Sequence, residues 1–170
     1  MATSPHSRIV LIMGVAGSGK TTVGRMLAAQ LDWPYFEADD FHSAANKTKM
    51  GHGIPLDDDD RAPWLVAIRQ RIDECVAGHQ SAVFSCSALK ESYRHILMDR
   101  VPSISLVYLA GDPATLLARM RGRSGHYMKP DMLQSQLATL EVPHDALNLD
   151  ITQPPETIVA EIRESLNRIN

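Results

Sequence analysis

Apolar and polar positions along the chain fall into short apolar runs separated by longer segments of helical period. Arg8–Met13 (RIVLIM) is almost continuously apolar, which predicts a parallel strand buried on both faces. Lys20–Leu31 follows with Val23, Met26, Leu27 and Leu31 on one helical face. Pro34–Glu37 reads as a short strand, and Pro63–Val76 as a helix carrying Leu65, Ile68, Ile72 and Val76. Strands are expected again at Ser81–Cys86, Ser105–Leu109 and Ala146–Ile151. Helices are expected at Ser87–Arg100, Pro113–Arg123, Met132–Leu140 and Pro155–Ile169. This alternation predicts an α/β fold, a parallel sheet with helices on both faces. No repeat, biased tract or linker interrupts it, so residues 1–170 are expected to form a single domain, with residues 8–170 as its ordered core and Met1–Ser7 as a frayed polar tail.

Composition narrows the function classes. Hydrophobic residues make up 44% of the chain and charged residues 22%, as in ordinary globular proteins. A net charge of -3 argues against a nucleic acid or a membrane surface held by bulk charge. No apolar run reaches the roughly 18–20 residues of a membrane span, and the first residues lack the apolar stretch of a signal peptide. Cys75 and Cys86 are the only cysteines. Two cannot build a structural metal site alone, and nothing points to secretion, so reduced thiols in a cytoplasmic protein are expected. The seven histidines show no metal-ligand spacing, so a divalent metal is expected to arrive with a ligand rather than in a protein-built site.

The chemistry begins at Gly14-Val15-Ala16-Gly17-Ser18-Gly19-Lys20-Thr21. It satisfies G-x-x-x-x-G-K-[ST] between an apolar strand and a helix, the context that a phosphate-binding loop needs. Glycines let successive backbone N–H groups turn inward around phosphates, and the helix start adds its positive dipole end. Lys20 is placed to reach the β- and γ-phosphates and the Thr21 hydroxyl to ligate Mg²⁺, with Thr22 completing the segment. Nucleotide binding follows from this loop. The acceptor of the phosphoryl group does not.

Asp39 and Asp40 lie just after the second strand, where ligands of an open parallel sheet collect. A carboxylate there accepts the proton of an attacking hydroxyl or holds a metal-bound water, and Asp39 is the choice for that role. Both acids capping the next segment is the alternative. Lys47, Lys49 and Arg61 flank the acidic run Asp57–Asp60, which by itself reads as a solvated helix start. Cys86 is expected as a small buried thiol, while the Ser87 hydroxyl, helped by Tyr93 and Arg94, is placed to line a pocket at the end of the third strand. Arg119, Arg121 and Arg123 with Gly122 and Gly125 suit a lid that closes over a nucleotide, at about residues 121–135. A solvated basic helix end is the alternative.

Taken together, GVAGSGKTT at 14–22, EADDFH at 37–42, ANKTKMGHGIPLDDDDRAPWL at 45–65, CSALKESYR at 86–94, RSGHYMKPDMLQSQLATLE at 123–141 and DITQP at 150–154 resemble the gluconokinase family. These are P-loop kinases related to shikimate and adenylate kinases. The resemblance runs from Ile9 to the last helix. The family commonly has Pro after the histidine of the second piece, where this chain has Ser43.

The resemblance implies a P-loop NTPase of the nucleoside-monophosphate-kinase type with a lid, ATP and D-gluconate as substrates, 6-phosphogluconate and ADP as products, and Mg²⁺. Similarity to shikimate kinases puts Arg61 at the substrate carboxylate, with Lys49 second. It also implies nucleotide roles for Arg119 and Arg123, the latter acting on the transferring phosphoryl group. His42, His126 and Gln136 fall on the substrate side, with Lys129 in the same stretch. Gln153 and Pro154 border the adenine ring, although their residue chemistry alone also fits a plain turn. Many proteins of this type are homodimers, and the sequence carries no interface pattern of its own.

Overall fold

The computed structural model describes residues 7–122 and 130–169. Five strands, β1 (Ile9–Met13), β2 (Tyr35–Glu37), β3 (Ala82–Ser85), β4 (Ile104–Ala110) and β5 (Leu147–Asp150), form one sheet in the order β2-β3-β1-β4-β5. Every pairing is parallel. Seven α-helices are described: α1 (Lys20–Leu31), α2 (Ala44–Gly51), α3 (Asp58–Ala77), α4 (Glu91–Met98), α5 (Pro113–Arg121), α6 (Pro130–Thr139) and α7 (Pro155–Arg168). A 3-10 turn over Ala38–Phe41 joins β2 to α2.

The central strand explains the layering. Successive side chains of a strand point to opposite faces, and β1 is apolar at every position. Ile9, Leu11 and Met13 enter one core with Trp64, Ile68 and Ile72 of α3 and Leu97 of α4. Val10 and Ile12 enter the other with Leu27 of α1, Leu116 of α5 and Ile162 of α7. All five β1 residues are fully buried, as expected of a strand covered by helices on both sides.

The sheet order reverses at β1, with β3 on one side and β4 on the other. The carboxyl ends of strands at such a reversal open into a crevice. The turn after β1, the 3-10 turn after β2 and the loop after β3 all start from this end.

Three helices differ from the pattern expected of the sequence. α3 starts at Asp58, upstream of Pro63. Asp57 and Asp60 form a reciprocal capping box, and Asp58, Asp59 and Asp60 fill its first turn, where carboxylates offset the helix dipole. That start carries the helix through a proline in its second turn. α4 begins at Glu91 and not at Ser87, because residues 86–90 remain an irregular loop in which Ala88 has a φ of 45°. α2 is not foreseen by apolar period: only Asn46 is buried in it, and its start is set by Ser43, whose hydroxyl accepts the Asn46 N–H at 3.1 Å. Ser43 thus provides a local turn and a cap where the family commonly has proline.

Candidate active site

The loop of residues 14–19 leaves β1 and enters α1 without a side-chain cap, since Gly19 is the N-cap residue. The first amides of α1 are therefore available to an anion. Gly17 and Gly19 have φ of 81° and 91°, a region that favours glycine. A Cβ on Gly17 would also stand 3.0 Å from the Leu116 carbonyl oxygen. Lys20 Nζ donates to the Val15 carbonyl at 3.1 Å, and the Ala16 N–H donates to Gln136 Oε1 of α6 at 2.7 Å. Ala16, Gly17, Gly19, Lys20 and Thr21 line one cavity, while Ser18, Gly19 and Thr22 line a second crevice on the other side of the loop. Gly14 and Val15 shape the loop from beneath: Val15 is buried, and a Cβ on Gly14 would meet Ser18 Oγ at 2.7 Å.

A carboxylate unassigned by sequence reasoning sits beside this loop. Thr21 Oγ1 donates to Glu37 Oε2 at 2.6 Å, and the Tyr35 hydroxyl donates to the same oxygen at 2.6 Å. Burial and the neighbouring Glu37 push the Tyr35 phenol well above its ordinary range, so it remains a donor. Tyr35 and Glu37 are two residues apart on β2 and share a face for that reason. The Thr21 proton is thereby committed to Glu37, which leaves the lone pairs of its oxygen available as acceptors.

The first cavity gathers most of the residues expected on the acceptor side. Asp39 from the 3-10 turn, His42 after it, Arg61 and Trp64 from α3, Ser87 from the loop after β3 and Gln136 from α6 all line it. Asp40 does not line this cavity, which separates two neighbouring carboxylates that chemistry alone left equivalent. His42 is buried and stacked on Trp64, with ring centroids 4.3 Å apart and an interplanar angle of 10°. Burial, reinforced by the charges of Arg61 and Lys47, lowers its pKa to about 4, so the ring is neutral at physiological pH. Trp64 is itself fixed, its indole N–H donating to the Ala38 carbonyl at 2.7 Å.

Arg61 is held from outside the cavity. Its Nη1 donates to the Tyr93 hydroxyl at 3.1 Å, and its guanidinium carbon lies 5.6 Å from the Tyr93 ring centroid. Tyr93 donates onward to Asp58, which also accepts from Lys90 at 2.9 Å. The Tyr93 hydrogen bond first, and then Lys90, keep Asp58 below the usual carboxylate range. Asp58 thus orients Arg61 through Tyr93 without neutralising it directly.

Two expected substrate residues are placed elsewhere. Lys49 is committed to Asp60, with Nζ 2.8 Å from Oδ2, and does not line the cavity. Arg94 is buried behind the loop after β3, and its Nη1 donates to the Ala88 and Leu89 carbonyls at 2.9 and 3.1 Å. It supports the wall that carries Ser87 rather than forming that wall. Cys86 is buried and fully desolvated, which pushes its thiol up to about 12.

The second crevice joins Ser18, Gly19 and Thr22 to Arg119 of α5 and to Gln153 and Pro155 after β5. Arg119 Nη2 donates to the Ile151 carbonyl, fixing α5 to this loop. Pro154 acts through its backbone: its carbonyl accepts the Thr157 and Ile158 N–H groups and starts α7. Arg121 ends α5 and is exposed. Arg123, His126 and Lys129 lie outside the described residues, as does the middle of the stretch expected to form a lid. Residues 130–135 of that stretch belong to α6.

Trp64, Glu37 and Asn46 were not assigned to the site from sequence, and Tyr93 was placed beside the pocket without its role as an anchor of Arg61. Trp64 carried a signal, being three residues after Arg61 on the same helical face. The other three act through contacts between distant segments.

The family model of shikimate kinase matches residues 16–166. A probable gluconokinase of Rattus norvegicus is 39% identical over 179 residues, covering 93% of this chain and 97% of that one. The thermoresistant gluconokinase of Escherichia coli (strain K12) is 38% identical, with 99% of each chain covered. Among solved structures, a gluconokinase from Sinorhizobium meliloti 1021 superposes with a TM-score of 0.86 at 41% identity, over 98% of this chain and 95% of that one.

Proposed function

The chain belongs to the gluconokinase family, within the shikimate-kinase-like P-loop kinases, and on that premise we infer that it transfers the γ-phosphoryl group of ATP to the terminal hydroxyl of D-gluconate, giving 6-phospho-D-gluconate and ADP. The observation that carries this reading is the shared cavity: the phosphate loop, Asp39 and Arg61 all line it.

In this reading ATP lies along the loop, its triphosphate toward the first cavity and its base toward the crevice of Arg119 and Gln153. Gluconate lies across the mouth, its carboxylate on Arg61 and its chain between His42, Ser87 and Gln136. The primary alcohol oxygen attacks the γ-phosphorus in line, the bond to the β–γ bridging oxygen breaks, and Asp39 accepts the alcohol proton. Lys20 supplies a positive point charge as charge moves onto the leaving oxygen. By the family resemblance, Arg123 offsets charge on the transferring phosphoryl group and His126 meets the sugar acid.

The donor set beside the phosphate loop fits Mg²⁺. Thr21 offers an oxygen whose proton is already taken by Glu37, and Asp39 and Glu37 add carboxylates suited to its water shell, all hard oxygen ligands. Held there with ATP, Mg²⁺ would supply positive charge that offsets the negative charge of the triphosphate.

ADP release measured against a panel of sugar acids, shikimate and nucleoside monophosphates tests the reading. Gluconate-dependent turnover well above the ATP hydrolysis background is expected. Turnover with another acceptor and none with gluconate would overturn the assignment.

A further inference from the structure

The buried surroundings of His42 fix which of its two ring nitrogens carries the proton. Asn46 is also buried, four residues further along the chain. Its Nδ2 donates to the Asp60 carbonyl at 2.8 Å. A carbonyl only accepts, so this contact identifies that atom as the amide nitrogen and not the oxygen. The same Nδ2 stands 3.4 Å from His42 Nδ1. An amide nitrogen has two hydrogens to give and nothing to accept with, so Nδ1 must be the acceptor and the proton of the neutral ring lies on Nε2. No protein partner of Nε2 is found among the described residues, and it is not a sealed, unsatisfied atom. Because His42 lines the acceptor cavity, Nε2 opens on that cavity.

We propose that Asn46 is a positioning residue that holds His42 as the Nε2–H tautomer, so that the imidazole offers a hydrogen-bond donor to an oxygen of the polyhydroxylated acid. The assignment of that oxygen to gluconate rests on the function inferred above; the tautomer does not. Trp64 fixes the ring plane while Asn46 fixes its rotation and proton, so that the ring enters the complex already oriented. The arrangement favours an acceptor oxygen at that point of the ligand and disfavours a group that can only donate.

Asn46→Asp inverts the instruction. A carboxylate accepts from Nδ1–H, which favours the imidazolium at lower pH and the Nδ1–H tautomer, with a lone pair at Nε2, at higher pH. The charges that act on the ring are Arg61 on α3 and Lys47 on α2; Asp39 in the 3-10 turn lines the same cavity, and Asp60 on α3 meets Asn46 through its carbonyl. All four persist in the variant, so the altered profile reports the new carboxylate.

Two measurements test the proposal. ¹⁵N NMR of the histidines in the wild-type protein without substrate should show His42 with a pyridine-type Nδ1 and a pyrrole-type Nε2. A pyrrole-type Nδ1 would overturn the proposal whatever the substrate is. Steady-state kinetics between about pH 6 and 8, across the range where an ordinary histidine titrates, should give a gluconate KM for Asn46→Asp that climbs roughly 3- to 10-fold relative to wild type as pH rises, the worth of one neutral hydrogen bond. Asn46→Ala should raise KM without the step, and KM for ATP should stay level in both variants. A folded Asn46→Asp protein with the wild-type profile would refute the proposed role. Should the wild-type protein fail to phosphorylate gluconate, the functional reading falls, while the NMR assignment still decides the tautomer.

Discussion

Replacing Arg61 by Ala removes the cavity guanidinium assigned to the substrate carboxylate. Hydrogen bonds to charged partners contribute about 1.5–3 kcal/mol each. Arg61 is only half-buried, so solvent screening points to the lower half of that range. At about 1.4 kcal/mol per decade, gluconate KM should rise roughly 10- to 50-fold. ATP KM should hardly change, because the crevice assigned to the base is lined by Arg119 and Gln153 and not by Arg61. The fold should survive. Tyr93 keeps its hydrogen bond to Asp58 when Arg61 is lost, so no buried donor is orphaned.

Arg61→Lys should recover little of the loss, since an ammonium lacks the planar fork that meets a carboxylate in two bonds. Tyr93→Phe should shift KM in the same direction by a smaller factor, because it removes one anchor of the guanidinium. The assay is steady-state kinetics with gluconate beside D-glucitol, in which an alcohol replaces the carboxylate. Wild type should prefer gluconate strongly, and Arg61→Ala should erase most of that preference. An unchanged gluconate KM, or equal losses for both acceptors, would refute the assignment of Arg61 to the carboxylate.

Asp39→Asn should lower kcat by about two orders of magnitude or more, the usual worth of a general base, while ADP binding measured by calorimetry stays close to wild type. Glu37→Gln should leave metal-free ADP binding intact and weaken the Mg²⁺-dependent gain in affinity about 10-fold, as expected for a residue that orients a metal ligand. Gly24→Ala should destabilise the fold by about 1–3 kcal/mol in denaturant titrations, because its Cβ would stand 2.5 Å from Ser85 Oγ and 2.6 Å from Tyr35 Cε2. Cys86, with its thiol pushed up to about 12 by burial, should resist thiol reagents at neutral pH until the protein unfolds. Rapid labelling of Cys86 in the native protein would contradict that burial.

Much of the fold was legible because β1 and the helices after it carry their own signals. An uninterrupted apolar run marks a strand buried on both faces, and the glycine-lysine loop fixes the join to α1. α2 escaped detection because it buries a single polar residue, Asn46, and owes its start to the Ser43 cap. The start of α3 was masked by Pro63, which local rules place at a first turn, whereas the reciprocal Asp57–Asp60 bonds begin the helix earlier.

In the site, Lys20, Asp39, His42, Arg61 and Gln136 were readable and do line one cavity. Lys49 and Arg94 do not line it, because a cation near a pocket in sequence can be committed elsewhere, here to Asp60 and to two loop carbonyls. Glu37, Asn46 and the Tyr93 anchor of Arg61 were missed for the converse reason. Their partners Thr21, Asp60 and Arg61 are 14 to 32 residues away, and only the folded chain brings them into contact.

Proton-coupled ³¹P NMR of a reaction containing ATP and gluconate reads the bond that the account says is made. The expected spectrum contains a new phosphomonoester triplet, split by the two protons of a primary carbinol carbon, growing in step with ADP and absent without gluconate. A doublet would place the phosphate on a secondary alcohol, and inorganic phosphate as the only new signal besides those of ADP would mean transfer to water; either result contradicts phosphorylation at the terminal hydroxyl.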